Sequence, residues 1–394
     1  MNPTLKWGSI VPLIGGFTVG SKLATNQDPD FILSYGAFGD NDALCKNYFN
    51  QVPFQLIDDE ETLPSPEIYS AIDFINTLCP CAGLSMMNAS ASRGANAPQN
   101  QWMFKTANFV LENLRPRVFF GENAPGLYTN LGKEVADKLY EIGKANGYSF
   151  SMIRTNTALH GIPQRRVRTF YFFWDSATAP IMNWYQRESN HWLDYLREIP
   201  FDASLQEGVS DKTVDVSYQY LKSKLPAEKL FINRSTVEII LSEGLFDDYV
   251  NFLESKGLED DAKKIGYIKA KLDMGKGFWN SFPHLLDKND AISGPVTGRS
   301  MDRIIHPTEQ RTFTYREYMH LMGLPHDFQL IDPKRDLNKI AQNVPTCTAR
   351  DMTLEVMKYL NGELKLSESD YLRQDNTTQK TEIPKIFPKA TPVF

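Results

Sequence analysis

The sequence predicts an α/β fold: a largely parallel sheet covered on both faces, accompanied by a second, smaller domain. Three observations carry that expectation. In the first half, short apolar runs alternate with stretches of helical spacing, the pattern of strands joined by crossover helices. Past about Asp175 the alternation gives way to short, mixed, polar segments, as far as about residue 334. Around Leu337 to Leu360 the α/β pattern returns, so this stretch is expected to complete the first domain. The expected division is 1–175 completed by 335–365, a second domain over 176–334, and a loose or extended polar tail over 366–394.

Taken in order, Ser9–Leu13 reads as a strand leading into Gly15-Gly16-Phe17-Thr18-Val19-Gly20 and a short helix. Phe31–Tyr35 is a second strand, followed by the acidic turn Asp40-Asn41-Asp42 and helical spacing over Ala43–Phe49. Phe54–Ile57 is a third, ending at Asp58. Ala71–Leu78 is a fourth, and it stops at Cys79-Pro80-Cys81, because proline has no amide proton to continue a ladder. Asn88–Gln101 holds so little apolar material that a mobile loop is expected. Helical Trp102–Leu114 precedes a fifth strand, Arg117–Gly121, which ends in Glu122-Asn123-Ala124-Pro125. Leu131, Val135, Leu139 and Ile142 share one helical face, closed by Gly147. Tyr148–Thr155 and Val167–Trp174 are two further strands.

Composition narrows the class. The chain has 394 residues, 42% hydrophobic and 23% charged, as ordinary globular proteins are. No apolar run is long enough to cross a bilayer, and the N-terminus has no signal-peptide core. The four cysteines are too scattered for a disulfide framework, which suits a reducing cytoplasm. Cys79 and Cys81 have no second ligand pair, so no metal site is expected. A net charge of -6 argues mildly against a nucleic-acid binder, but local patches matter more. Arg154, Arg165, Arg166 and Arg168 lie in an acid-free stretch. Lys263, Lys264, Lys269, Lys271 and Lys276 are interleaved with Tyr267, Phe278 and Trp279, as phosphate contact and base stacking require. A solvated helix face explains the lysines equally well.

Ligands of open parallel sheets bind beyond the carboxyl ends of strands, where Cys81 and Glu122 both fall. Taken alone, Cys81 reads as one more buried small hydrophobe, and Glu122 as a carboxylate capping backbone amides ahead of Pro125. Together they form the pair needed to attack an aromatic ring: the sulfur adds to an electron-poor carbon while the acid protonates a ring nitrogen. Arg166 and Arg168 alternate onto one face of the next strand. There they would stabilise a thiolate and hold an anionic or carbonyl-bearing substrate.

These blocks resemble those of the cytosine-C5 DNA methyltransferases. Cys79-Pro80-Cys81-Ala82-Gly83-Leu84-Ser85 resembles their Pro-Cys loop, Gly121-Glu122-Asn123-Ala124-Pro125 their Glu-Asn-Val motif, and Gln164-Arg165-Arg166-Val167-Arg168 their Gln-x-Arg-x-Arg. Ile14-Gly15-Gly16-Phe17 resembles the first cofactor loop. Arg311–Glu317 with Gly323–Phe328 resembles the block closing the recognition domain, and Ala341–Pro345 the last motif. The resemblance spans about residues 9 to 360.

The resemblance implies a Rossmann-like methyltransferase sheet with a target-recognition domain, the latter making phosphate contacts from the Lys263–Lys276 region. It implies S-adenosylmethionine as cofactor and double-stranded DNA as substrate. Cys81 would add to C6 of a flipped-out cytosine, Glu122 would protonate N3, and Arg168 would assist the base pocket. Arg166 and Gln164 would brace the active-site loop, Pro80 would fix the thiol's approach, and Asn123 would brace the pocket. The Asn88–Gln101 loop would close over the base. Gly15, Gly16, Phe17, Asp40, Asp58, Asn343 and Val344 would hold the cofactor.

The cofactor blocks depart from the family pattern. Leu13 stands where an additional glycine is usual, and Pro12 where an acidic or small residue is usual. Phe38 or Gly39 falls at the ribose-binding glutamate, leaving Asp40 or Asp42 to substitute. Gln342 replaces a glycine and Cys79 a proline. The alternatives are a tRNA cytosine-C5 methyltransferase of the same fold and a DNA-binding homologue with altered cofactor use. A monomer in a bacterial or viral-host cytoplasm is expected, with a cognate restriction endonuclease as a candidate partner and no membrane association.

Overall fold

The computed structural model describes residues 5–58, 69–80, 82–85, 94, 96–199, 208, 212–231, 234–275, 284–285, 289, 304–309 and 311–384. Trp7–Ile10 (β1) leads through a tight loop into Gly16–Thr25 (α1). Phe31–Ser34 (β2), Ala43–Tyr48 (α2), Phe54–Leu56 (β3) and Phe74–Thr77 (β4) follow. Next come Asn100–Phe109 (α3), Val118–Asn123 (β5), Lys133–Ala145 (α4), Ser149–Asn156 (β6) and Val167–Trp174 (β7). β4 is shorter than its apolar run because Ala71 takes a left-handed conformation (φ 54°). The Asp73 carboxylate there accepts the amide of Lys6.

The chain then forms Trp192–Arg197 (α5), Lys212–Lys224 (α6), Arg234–Ser235 (β8), Thr236–Ser242 (α7), Phe246–Ser255 (α8) and Glu259–Asp273 (α9). His284–Leu285 (β9), Ile304–Ile305 (β10), Tyr315–Leu321 (α10) and Pro333–Gln342 (α11) complete this part. Thr346–Leu360 (α12), Tyr371–Asp375 (β11) and Lys380–Glu382 (β12) close the chain. Two compact units result: residues 1–189 with 343–394, and residues 190–342.

In the first unit one sheet runs in the order β12-β11-β6-β7-β5-β4-β1-β2-β3. β7 is antiparallel to both of its neighbours and β12 to β11; the other pairs are parallel. Strand order reverses between β1 and β4, and such a reversal opens a crevice at the carboxyl ends. Strands β1, β2, β4 and β5 are buried at every residue, as strands covered on both faces must be. Paired aromatic runs fill both layers. Phe119 lies in register with Phe173, and Phe120 with Phe172, so successive rings stack on opposite faces. One layer takes Met103 and Leu139 from α3 and α4; the other takes Phe17 from α1 with Val344 and Met352 from the last segment.

Two expectations are corrected. Residues 176–189 fall in the first unit rather than the second, and residues 335–342 in the second rather than the first. Residues 176–189 run beside the C-terminal segment, with the Ala179 amide on the Ser369 carbonyl and the Met182 amide on Gln374. The tail expected to be loose adds β11 in parallel to β6. Tyr371 is buried and stacks on Tyr140, while Arg154 pairs with Asp375 and Gln374 bonds Met182 in both directions. Few of its residues are apolar; side-chain partners satisfy the polar ones, which apolar periodicity does not register.

In the second unit, helices α6 to α9 share a core built on Val214, Leu221, Ile240, Tyr249 and Ile265. The Arg311–Glu317 block starts α10: Glu317 caps the Thr314 amide and receives both arms of Arg311 at 2.8 Å. On α9, Lys264 and Lys269 meet Asp261 and Asp273 at 3.0 and 2.8 Å, and Lys263 lies 3.7 Å from Asp260. Lys263, Lys264 and Lys269 are therefore partnered on their own helix, by surface pairs worth about 0–1 kcal/mol that a phosphate can displace. Lys276, Phe278 and Trp279 lie outside the described residues.

Candidate active site

β4 and β5 run side by side, with Thr77 opposite Gly121, and both end at the crevice edge. Beyond β4 the chain passes through Leu78 and a buried Cys79 to Pro80. Cys81 lies outside the described residues, as do residues 86–93 and 95 of the expected mobile loop. The described remainder of that loop is anchored: Asn100 donates to the Gly94 carbonyl at 2.9 Å, and Ala97 is fully buried.

Glu122 stands one residue past that register, at 2% exposure. Its Oε1 lies 2.8 Å from Nε of Arg168, an ion pair without an aligned hydrogen bond. Burial pushes the Glu122 carboxyl up and outweighs Arg168 and Arg166, which pull it down. A buried carboxyl with a raised pKa can carry a proton closer to neutrality than a free one.

Arg168 is at the start of β7, and Arg166 lies two residues earlier, just before the strand. Arg166 is buried; its amide rests on Asn156 Oδ1, and its Nη2 donates to the Asn343 carbonyl at 2.7 Å. Gln164 is buried in the same turn, whereas Arg165 is exposed. Asn123 is aimed at the opposite layer, with Nδ2 3.2 Å from Met103 Sδ and Oδ1 holding the Ala124 amide.

The first loop is organised by two glycines. Gly15 has φ 95°, a left-handed conformation that glycine adopts without cost. The Gly16 amide donates to Asn343 Oδ1 at 3.1 Å, and a Cβ on Gly16 would fall 1.9 Å from Asn343 Nδ2. Gly16→Ala is therefore expected to destabilise the fold by ~1–3 kcal/mol through overpacking, read as a lower urea midpoint; an unchanged midpoint would contradict the crowding. Leu13, where the family usually has glycine, is also left-handed at φ 49°. That backbone costs a residue with a Cβ roughly 1–2 kcal/mol. Phe17 meets Phe120 and Phe170 edge-on.

The two candidate ribose acids differ in setting. Asp40 is exposed, in the short helical turn Gly36–Asn41. Asp42 is buried and accepts the Ser34 hydroxyl at 2.5 Å, and burial pushes its carboxyl up to about 6. Asp58 is exposed and accepts the Gly36 amide. Near it Tyr35, Phe38 and Trp102 pack together, with Lys105 over the Tyr35 and Trp102 rings.

Two buried atoms beside this loop have no partner among the described residues: the acceptor Asp42 Oδ1 and the donor Asn343 Nδ2. An unmet acceptor and donor, with an aromatic cluster nearby, fit a ligand having an amino-acid end and a planar base. No group of three or more metal-binding side chains occurs among the described residues.

Sequence reading missed a second buried polar network, beside the arginine turn. His160 Nδ1 lies 2.9 Å from Asp351 Oδ2, and His160 Nε2 lies 2.7 Å from Thr155 Oγ1. Asp351 also holds Arg187 through two bonds and Arg350 through one. No spacing signal links residues 160 and 351; only the fold brings them together.

A mostly parallel sheet with a glycine-turned loop after β1, and an acid and paired arginines at the carboxyl edge, defines an α/β enzyme with a cofactor crevice. The chain belongs to the C-5 cytosine-specific DNA methylase family, which matches residues 8–356. That family uses S-adenosylmethionine as methyl donor and acts on nucleic acid. No curated relative matches the sequence. The fold is similar to that of a protein described as a DNA modification methyltransferase encoded within an E. coli prophage, at 17% identity and a TM-score of 0.56. The likeness covers 91% of this chain and 99% of that one. The Entamoeba histolytica methyltransferase EhMeth is similar over the same shares, at 13% identity and a TM-score of 0.56. No described helix is long and apolar enough to cross a membrane.

Proposed function

We propose that the protein is a DNA methyltransferase that modifies C5 of a flipped-out cytosine, with Cys81 as nucleophile and S-adenosylmethionine as donor. The observation that carries this reading is Glu122, buried at the carboxyl end of β5 against Arg168 with a raised pKa. A proton held there is what N3 of a cytosine needs as its ring accepts a nucleophile at C6. A stacked base does not expose C6, so the target leaves the duplex at a cost of a few kcal/mol.

The Cys81 thiolate adds to C6, and Glu122 delivers its proton to N3, leaving an enamine whose C5 is nucleophilic. S-adenosylmethionine held at the Gly15-Gly16 loop would supply an electrophilic methyl group for that carbon. Loss of the C5 proton to water expels the Cys81 thiolate and restores the C5–C6 double bond, and N3 returns its proton to the Glu122 carboxylate. Arg168 and Arg166 hold the base side, with Pro80, Asn123 and Gln164 shaping the pocket. Gly15, Gly16, Phe17, Asn343 and Val344 carry the donor loop, Asp40 or Asp42 meets the ribose, and Asp58 and its aromatic neighbours meet the base. The 190–342 unit reads the target sequence.

The test is sequencing of 5-methylcytosine in DNA from cells expressing the chain, beside a Cys81→Ser control. Methylation at a defined site that vanishes in the control is expected. A genome free of the mark, with purified protein methylating tRNA instead, would transfer the chemistry to RNA.

A further inference from the structure

We propose that Asn343 is a positioning residue that couples the donor loop to the base-side carboxyl, through Gly16 on its side chain and Arg166 on its main chain. The proposal rests on the reading above and adds a link between its two half-sites. One residue accepts from both sides: Oδ1 takes the Gly16 amide at 3.1 Å, and the carbonyl takes Arg166 Nη2 at 2.7 Å. Asn343 and Arg166 are almost fully buried, so solvent does not screen the connection.

The surroundings give the link little slack. Pro345 caps α12, which packs tightly on α1: a Cβ on Gly20 would fall 2.4 Å from the Ala349 Cβ, and Ser21 bonds Thr353 at 2.9 Å. With α1 and α12 fixed, a shift of the Gly16 amide is absorbed at Asn343 and passed to Arg166. Arg166 and Arg168 are the charged groups acting on Glu122 from the β7 side, while Tyr171, in register with Gly121, lies on the other face of the sheet. Loading the donor loop thus alters the field in which Glu122 holds its proton.

Deuterium exchange at C5 of the target cytosine separates this coupling from methyl transfer, because it needs no donor. Cys81 adds to C6, C5 takes a deuteron from D2O, and loss of the original C5 proton with expulsion of the thiolate returns the ring labelled. The experiment follows exchange against pH for wild type and Asn343→Ala, with and without S-adenosylhomocysteine, alongside calorimetric binding of that ligand. In wild type the ligand is expected to change the exchange rate at least ~3-fold and move its upper-pH limb. Asn343→Ala is expected to bind the ligand ~10-fold more weakly and, even at saturation, to lose that response. A saturated variant that responds as wild type does overturns the coupling and leaves the methyltransferase reading standing.

Asn343→Asp is the second variant, and it decides the matter if the alanine protein does not fold. It keeps an oxygen for the Gly16 amide but gives up the Nδ2 donor, so the ligand is expected to bind more weakly and exchange is compared at saturation. Its added negative charge is expected to shift the upper-pH limb upward through Arg166; an unmoved limb overturns the proposal. Wild type that neither exchanges nor methylates, in DNA or RNA, overturns the proposed function and the coupling together.

Discussion

Glu122→Gln is expected to lower kcat/KM for methyl transfer by roughly 10²–10⁴-fold, the usual contribution of a positioned general acid, while the protein stays folded. Glutamine matches the carboxyl in shape, so the buried position and its neighbours tolerate it. The amide has no proton to give to a ring nitrogen at any accessible pH. Stability should change little, because removing a costly buried charge offsets the loss of the Arg168 pair. The pH dependence has a definite sign. A folded-state carboxyl pKa above the ordinary value of 4.5 means that the folded protein holds a proton which the unfolded chain has released. That contribution to stability is complete below 4.5 and is lost as pH rises through the folded value. Glu122→Gln should abolish both this dependence and the fall of wild-type kcat/KM at higher pH. Denaturant midpoints and rate profiles across pH measure the two, and activity within ~10-fold of wild type would remove Glu122 from the acid's role.

Strands β1, β2, β4 and β5 were legible because each is a short apolar run ended by glycine, proline or an acid, and burial on both faces leaves no other pattern available. The residues drawn together at the carboxyl edge, Glu122 and Arg168 with Arg166 behind them, were legible for a related reason. Charged residues at the edges of strands as apolar as β5 and β7 need a partner, and each strand offered the other's. The donor side was less legible. Asp42, not Asp40, is the acid buried beside the loop, because the turn after β2 folds back on Ser34. No periodicity specifies such a turn. The C-terminal strands were missed for the opposite reason: Tyr371–Asp375 has only two apolar residues, and the rest of its burial is paid in side-chain hydrogen bonds from residues 180–185 and from Arg154.

Asp351→Ala is expected to cost about 1–3 kcal/mol of stability, the range for leaving a buried hydrogen-bonding group, here His160, without its partner. The hydrogen-bond directions explain why. Asn376 Nδ2 donates to Thr155 Oγ1 at 3.0 Å, so the Thr155 hydroxyl proton is free to go to His160 Nε2. His160 is then neutral, with its proton on Nδ1 and directed at Asp351. Burial pulls the His160 pKa down more than Asp351 raises it. Burial alone would push the Asp351 carboxyl up, but hydrogen bonds from His160 and Arg187 hold it below its usual range. Without the carboxylate the buried His160 loses its acceptor, and the partly exposed Arg187 and Arg350 lose the partner they share. The signs of the two titrations agree. The unfolded chain protonates His160 near 6.5 and the folded protein does not, so stability is complete above that pH and falls below it. Asp351 adds stability that is present above 3.8 and is lost as pH falls through its lower folded value. The raised Glu122 and Asp42 carboxyls act in the opposite sense over this range, so the decline from pH 7 toward pH 5 is read as the difference in urea midpoint between wild type and His160→Gln. A flat profile, together with a loss in Asp351→Ala below ~1 kcal/mol, would mean that the network closes on water rather than on itself. The turn it anchors carries Arg166 on a carbonyl bonded to both the amide and the hydroxyl of Thr157, so loosening the network should also blunt catalysis before the protein unfolds.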